Sequence, residues 1–305
     1  MIGSNELELG VSDAEIMATF DPFVQQRFPP TSVAWQDEAR ATSRRFSRAR
    51  FWHRLLGWMP ALRRTQDTVK KCYSQQWASR AIEDQLSVKG PAVACEWRDL
   101  KMHARAVATK RVHLLFLAKV IERLAPRTVL EVGSGNGLNL FVLAGQFADV
   151  RFTGIELTSG GIDAAARVWR MPRLPAAVRE FSPKPLLDDI PGSRITLVRG
   201  NAASLPFEGS SFDLVFTALA LEQMEQVRHD ALGELRRVSG SHVAMVEPFR
   251  EWNDEGCPRD YIVANDYFSG RISDLPGYGL HPMLATADMP AKLTNKPGLI
   301  VCRCS

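Results

Sequence analysis

From Val129 to Leu143 an apolar run breaks into three glycines at alternate positions and then turns apolar again: V-L-E-V-G-S-G-N-G-L-N-L-F-V-L. Thr128, Val129, Leu130 and Val132 suit a strand covered on both faces, and Leu138 to Leu143 suit the helix that follows. Gly133, Gly135 and Gly137 fall in the turn between them. They lack the Cβ that would keep a ligand off the backbone, and they permit positive φ.

The same strand and helix periods recur downstream. Strands are predicted at Arg151 to Glu156, Ile195 to Arg199, Phe212 to Phe216 and His242 to Val246, with helices at Gly160 to Trp169 and Val227 to Val238 between them. A stretch with several prolines, 171–194, interrupts one crossover. Residues 249–279 read as an inserted helix with loops, and Leu280 to Ala287 and Gly298 to Cys304 read as a closing antiparallel pair. Strands alternating with helices predict a parallel α/β sheet, with ligands bound beyond the carboxyl ends of its strands.

Upstream, the pattern changes. Residues 1–36 are mixed and broken at Asp21-Pro22 and Pro29-Pro30, which suggests a loosely held leader. Residues 37–64 interleave Phe46, Phe51, Trp52, Leu55, Leu56, Trp58, Met59 and Leu62 with arginines, as one apolar face beside a basic one. Residues 66–104 read as polar helix broken near Gly90-Pro91, and Arg105 to Leu124 as a clearer helix with Leu114, Leu117, Ile121 and Leu124 on one side. The expected division is an N-terminal leader and helical extension over residues 1–104 and a catalytic domain over 105–305.

Composition adds little, since 305 residues at 45% hydrophobic and 24% charged can build one large domain with an appendage and exclude disorder. Net charge is only +4, yet Arg40 to Lys71 carries ten Lys or Arg against one acid, Asp67. Three readings of this basic helix stay open: packing on the domain with a solvated face, attachment to a membrane surface, or binding of an anionic substrate or nucleic acid. The start of the chain carries acids where a signal peptide needs bases, and no stretch of about 18 apolar residues occurs. A cytoplasmic location is expected, with residues 40–64 as the place of any peripheral membrane contact. The five cysteines are scattered, apart from Cys302 and Cys304, and read as structural thiols; no metal site is expected.

Glu131 narrows the chemistry of the glycine loop, because a carboxylate there would repel a pyrophosphate but can hold a cation or ribose hydroxyls. The dinucleotide spacing G-x-G-x-x-G also fails, as the third glycine arrives one residue early. Glu131 to Gly137 resembles motif I, E/D-x-G-x-G-x-G, of the class I S-adenosylmethionine-dependent methyltransferases. The resemblance covers about residues 105–305 and is carried further by three features. Glu156 ends the second strand, Gly200-Asn201-Ala202 stands where the family usually has Gly-Asp-Ala, and Phe212-Asp213-Leu214-Val215 begins the fourth strand.

The resemblance implies a Rossmann-like, seven-stranded, mostly parallel sheet of order 3-2-1-4-5-7-6, with preceding helices as a lid. It implies that S-adenosylmethionine lies against Glu131, Gly133, Ser134, Gly135 and Gly137. Glu156 would hold the ribose, Leu157, Asn201 and Ala202 the adenine, and Ala218 and Leu219 the methionine part. Gln223 stands where many relatives have histidine, which removes that base, and His103 and His113 read as surface or capped residues rather than catalytic ones. Glu247, at the mouth of the fifth strand, is the best-placed acid, though bonding to local backbone is the commoner fate of such a carboxylate. Thr217 to Ala220 replaces the Asn/Asp-Pro-Pro-aromatic motif of nucleic-acid N-methyltransferases. A small-molecule acceptor methylated at oxygen or nitrogen is therefore favoured. A lipid-linked or glycan acceptor at the membrane surface and an inactive cofactor-binding protein are the alternatives.

Overall fold

Unbroken apolar runs such as Val129-Leu130 and Val243 to Val246 can be buried on both faces only inside a sheet covered by helices, and they form its central strands. The computed structural model describes residues 6–56, 65–78, 81–187 and 191–305. In chain order its N-terminal elements are α1 (Asp13–Phe20), β1 (Val24–Phe28), α2 (Val33–Leu56), α3 (Gln66–Ala78), α4 (Ile82–Leu86), β2 (Ala92–Trp97), β3 (Leu100–Arg105) and α5 (Val107–Leu124). The Rossmann-like part follows as β4 (Thr128–Val132), α6 (Leu138–Gln146), β5 (Arg151–Glu156), α7 (Ser159–Trp169), α8 (Ala176–Phe181), β6 (Ile195–Arg199), β7 (Phe212–Ala218), α9 (Arg228–Val238) and β8 (Ser239–Glu247). Then come α10 (Gly256–Ala264), β9 (Leu280–Thr286), β10 (Ala291–Lys292) and β11 (Gly298–Cys304).

The main sheet runs β6-β5-β4-β7-β8-β11-β9. Counted within the sheet, this is the expected order 3-2-1-4-5-7-6. β4 to β8 are parallel, and β11 is antiparallel to both β8 and β9. The order reverses beside β4, so the carboxyl ends of β4, β5 and β7 diverge around a crevice. Asp213 ties the amino ends of β4 and β7 together, where one carboxylate oxygen accepts the N–H groups of Arg127 and Thr128 at 2.8 and 2.9 Å.

The N-terminal part departs from expectation in three ways. Residues 92–105 form the β2–β3 hairpin rather than helix, because Val93, Cys95, Trp97 and Met102, Ala104 alternate inward at period two. The leader is not loosely held: Ser12 and Glu15 make a reciprocal cap on α1, and Ile16 and Phe20 are buried in the same core as Leu114 and Leu117 of α5. The small antiparallel sheet β1-β3-β2-β10 crosses the 104/105 boundary, since Ala291 and Lys292 pair with Glu96 and Cys95. Of the basic helix, residues to Leu56 form α2; Trp58, Met59, Leu62, Arg63 and Arg64 lie outside the described residues.

Candidate active site

The loop after β4 turns back on itself because its glycines take φ of +80° (Gly133), +54° (Gly135) and +76° (Gly137), a region costly for other residues. Its first turn is fastened to the neighbouring strand: the N–H groups of Gly133 and Ser134 both donate to the Ile155 carbonyl, at 2.8 and 3.1 Å. Bare backbone at Gly133 and Gly135 faces a cavity of about 250 Å³. Gly137 does not line it. That glycine instead opens α6, and a Cβ there would fall 2.8 Å from the Phe141 ring and 3.1 Å from Ala165, so its reason for being glycine is packing.

The other expected cofactor residues converge on this cavity. Glu131 and Ser134 line it beside the glycines, Glu156 and Leu157 at the tip of β5, Asn201 and Ala202 after β6, and Ala218 and Leu219 at the end of β7. Leu219 holds a left-handed φ of +55° while its N–H bonds the Val246 carbonyl at 3.0 Å, a strained turn kept in place at the cavity wall. Asn201 spends its Oδ1 on the N–H of Ala203, 3.1 Å away.

The carboxylate of Glu156 is set by its surroundings. One oxygen accepts the Gly135 N–H at 3.1 Å, and the other accepts the Thr158 N–H and hydroxyl at 2.9 and 2.6 Å. Glu131, almost wholly buried, accepts from Asn139 Nδ2 at 2.6 Å through Oε1, while Oε2 has no partner. Burial pushes the Glu131 carboxyl up, against the pull of Asn139 and of Lys110, and burial pushes the Lys110 amine down against the pull of Glu131. An acid and a base thus share one wall.

His113, read from the sequence as a surface or capped residue, is instead buried on the cavity wall one turn from Lys110 on α5; Lys110 was not singled out in the sequence, and neither were Gln66, Val69, Tyr73 and Trp77 of α3, which cover the cavity. The signal for the first pair is legible afterwards: both fall within the otherwise apolar stripe of α5, where a lysine and a histidine need a polar reason to be. For α3 the only cue is an aromatic pair, Tyr73 and Trp77, in a polar helix. Their rings lie 6.2 Å apart, and Trp77 rests on Gly135.

His103, by contrast, sits in the small sheet and meets Glu38 at 2.7 Å. Glu247 does not line the cavity. Its Oε1 accepts the N–H groups of Ala220 and Leu221 at 2.9 and 3.1 Å, and Oε2 that of Glu222 at 3.2 Å. Burial pushes its carboxyl up to about 8, with Glu222 adding to the shift and the backbone donors opposing it. The candidate base is therefore a brace beneath the turn. Among the described residues no cluster of His, Cys, Asp and Glu is placed to hold a metal ion.

His113 gives the site a pH signature. Burial, with Lys292 and Lys110 adding repulsion, lowers its imidazole from 6.5 to about 3, so the folded protein keeps it neutral while the unfolded chain protonates it below 6.5. Its contribution is fully present above pH 6.5 and is lost as the pH falls towards 3, at no more than about 1.4 kcal/mol per pH unit. Urea midpoints at pH 7 and pH 5 should fall less steeply for His113→Gln than for wild type; parallel falls would show that His113 does not drive the acid lability.

Residues 130–244 match the family of the methyltransferase domain. No curated protein matches the sequence. Solved structures with a similar fold include geranyl diphosphate C-methyltransferase from Streptomyces coelicolor A3(2), with 12% identity, TM-score 0.48 and coverage of 77% of this chain and 98% of the other. Magnesium protoporphyrin IX methyltransferase from Synechocystis has 12% identity, TM-score 0.46 and coverage of 65% and 84%. The [4+2]-cyclase SpnF has 18% identity and TM-score 0.42; 60% of this chain is covered, and the match spans only 61% of the cyclase. These likenesses concern the fold alone.

Proposed function

We propose, on the match of residues 130–244 to the methyltransferase domain family, that this protein moves a methyl group from S-adenosylmethionine to oxygen or nitrogen of a small-molecule acceptor. The observation that carries the reading is the single cavity shared by the bare glycine loop, Glu156, Glu131 and Lys110. These groups suit the cofactor's parts. Glu156 at the tip of β5, whose Oε2 accepts one N–H, keeps acceptor capacity there for a ribose hydroxyl, and Leu157 and Ala202 offer apolar contact to adenine beside Asn201. Glu131, with one unpartnered oxygen, and Lys110 present an acceptor and a donor to the polar end of an amino acid.

When bound, the cofactor supplies a sulfonium whose methyl carbon is open to in-line attack. The chain's part is alignment and exclusion of water, which is where most of such a rate enhancement arises. Trp77 and Tyr73 roof the cavity. At its wall, neutral His113 has an unpartnered Nε2 that can make a hydrogen bond to an acceptor molecule, while its lowered pKa keeps it from taking up the acceptor's proton, which leaves to solvent. Thr217 to Ala220, in place of an Asn-Pro-Pro-aromatic turn, favours an acceptor other than a nucleobase amine.

Calorimetry on the folded protein should give S-adenosylmethionine or S-adenosylhomocysteine a micromolar Kd, about −8 kcal/mol. Absence of both heat and thermal stabilisation at millimolar cofactor would sink the reading. Glu156→Ala should weaken binding by about 1.5 to 3 kcal/mol, and Glu156→Gln by less. Wild-type affinity in both variants would remove Glu156 from the ribose site.

A further inference from the structure

The second half of α2 meets the described parts of the molecule along one side. Phe46 packs edge-on against Tyr261 of α10 with ring centroids 5.0 Å apart, and Ser47 and Arg50 both bind Asp260, Arg50 at 2.7 Å. At about 100° per residue these three positions fall within one third of the helix circumference. The opposite side, over the helix's second half, is bare. Phe51 is 61% exposed, Trp52 57%, Leu55 53% and Leu56 37%. Phe51 and Trp52 hold each other edge-to-face at 5.6 Å rather than reaching any core.

One to two turns behind, on the same side, stand Arg44, Arg45 and Arg48, all exposed. Arg45 lies over the Phe46 ring, and among the described residues no carboxylate pairs with any of the three. Four adjacent large apolar side chains left in water are costly, and a solvated helical face does not call for them. Arginines grouped behind an aromatic and aliphatic tip match a surface that is anionic outside and apolar beneath.

We propose that the second half of α2 binds an anionic lipid surface. Phe51, Trp52, Leu55 and Leu56 enter the boundary between headgroups and acyl chains, and Arg44, Arg45 and Arg48 lie at the level of the phosphates. Exposed leucines favour lipid over nucleic acid, which would use the arginines and the aromatic rings but has no apolar interior for Leu55 and Leu56. No helix among the described residues is long and apolar enough to cross a membrane, so the contact is peripheral. It stands independently of the methyl-transfer reading, because none of these residues lines the cavity.

The test is co-sedimentation of the full chain with vesicles of phosphatidylcholine alone or mixed equally with phosphatidylglycerol. Binding is expected to the mixed vesicles only, weakening as salt rises. The triple variant Arg44→Glu, Arg45→Glu, Arg48→Glu and the double variant Phe51→Ser, Trp52→Ser should each lower the partition coefficient about tenfold or more. Both change exposed side chains, so the melting temperatures should match wild type. No sedimentation with either vesicle, undiminished sedimentation of both variants, or retention on a single-stranded oligonucleotide in place of vesicles would each overturn the proposal.

Discussion

Gly135→Val is expected to abolish S-adenosylmethionine binding in a protein that still folds. Two effects add. Valine at φ +54° takes on backbone strain of about 1 to 3 kcal/mol, and its Cβ would stand 2.8 Å from the Trp77 ring before the two methyl groups are counted. The branch thus collides with the ring that rests on Gly135 and displaces the roof from the cavity. It also pushes the Gly135 N–H away from Glu156, disturbing the carboxylate assigned to ribose. Calorimetry should show a loss of at least about a hundredfold, or about 2.7 kcal/mol. Gly137→Ala is the control, since its Cβ would meet Phe141 and Ala165 rather than the cavity. That variant should lose stability and keep its affinity; the reverse pattern would mean that the third glycine, not the second, touches the ligand.

Glu247→Ala is expected to cost about 3 to 5 kcal/mol of folding stability, measured by urea denaturation. Its carboxylate is fully buried and receives three backbone N–H groups from Ala220, Leu221 and Glu222, which the substitution leaves without partners. Glu247→Gln, which keeps one acceptor oxygen, should lose roughly half as much. Because the braced turn also supplies Leu219, Ala220 and Gln223 to the cavity wall, cofactor affinity should fall together with stability. A catalytic base would behave otherwise: Gln would suppress turnover while stability and affinity stayed at wild-type values.

The sheet was legible because its determinants are local. Apolar runs of strand length ending in Gly133 or Glu156 specify a strand and its tip without reference to the rest of the chain. The order of the strands and the choice of Ser134, Leu157, Asn201, Ala202, Ala218 and Leu219 came instead from the resemblance to the class I methyltransferases, and these residues line the cavity. The small sheet was hidden because β2 and β3 are short, carry Glu96, Lys101 and His103, and are completed by a partner at Ala291 that no window of sequence contains. A lid of preceding helices was implied by the resemblance, but its residues were hidden for a related reason: what makes Trp77 part of the site is its contact with Gly135, and Lys110 matters only once α5 is laid beside β4. Gly137 misled because a glycine demanded by Phe141 and one demanded by a ligand look alike in a string.

Arg98 joins Asp13 on one side, at 2.5 and 3.0 Å, and Asp288 on the other, at 3.0 and 2.5 Å. Together with the pairing of β2 on β10 and the insertion of β11 between β8 and β9, this ion cluster makes segments far apart in the sequence mutually dependent. A ribosome delivers the first of them well before the second. Until β11 emerges, β8 presents an open edge and the β2–β3 hairpin lacks its outer strand, so the nascent chain must wait with unpaired backbone exposed. High contact order of this kind slows folding, and chains truncated near residue 290 should be recovered as aggregates although every residue of the glycine loop and its carboxylate partners is present.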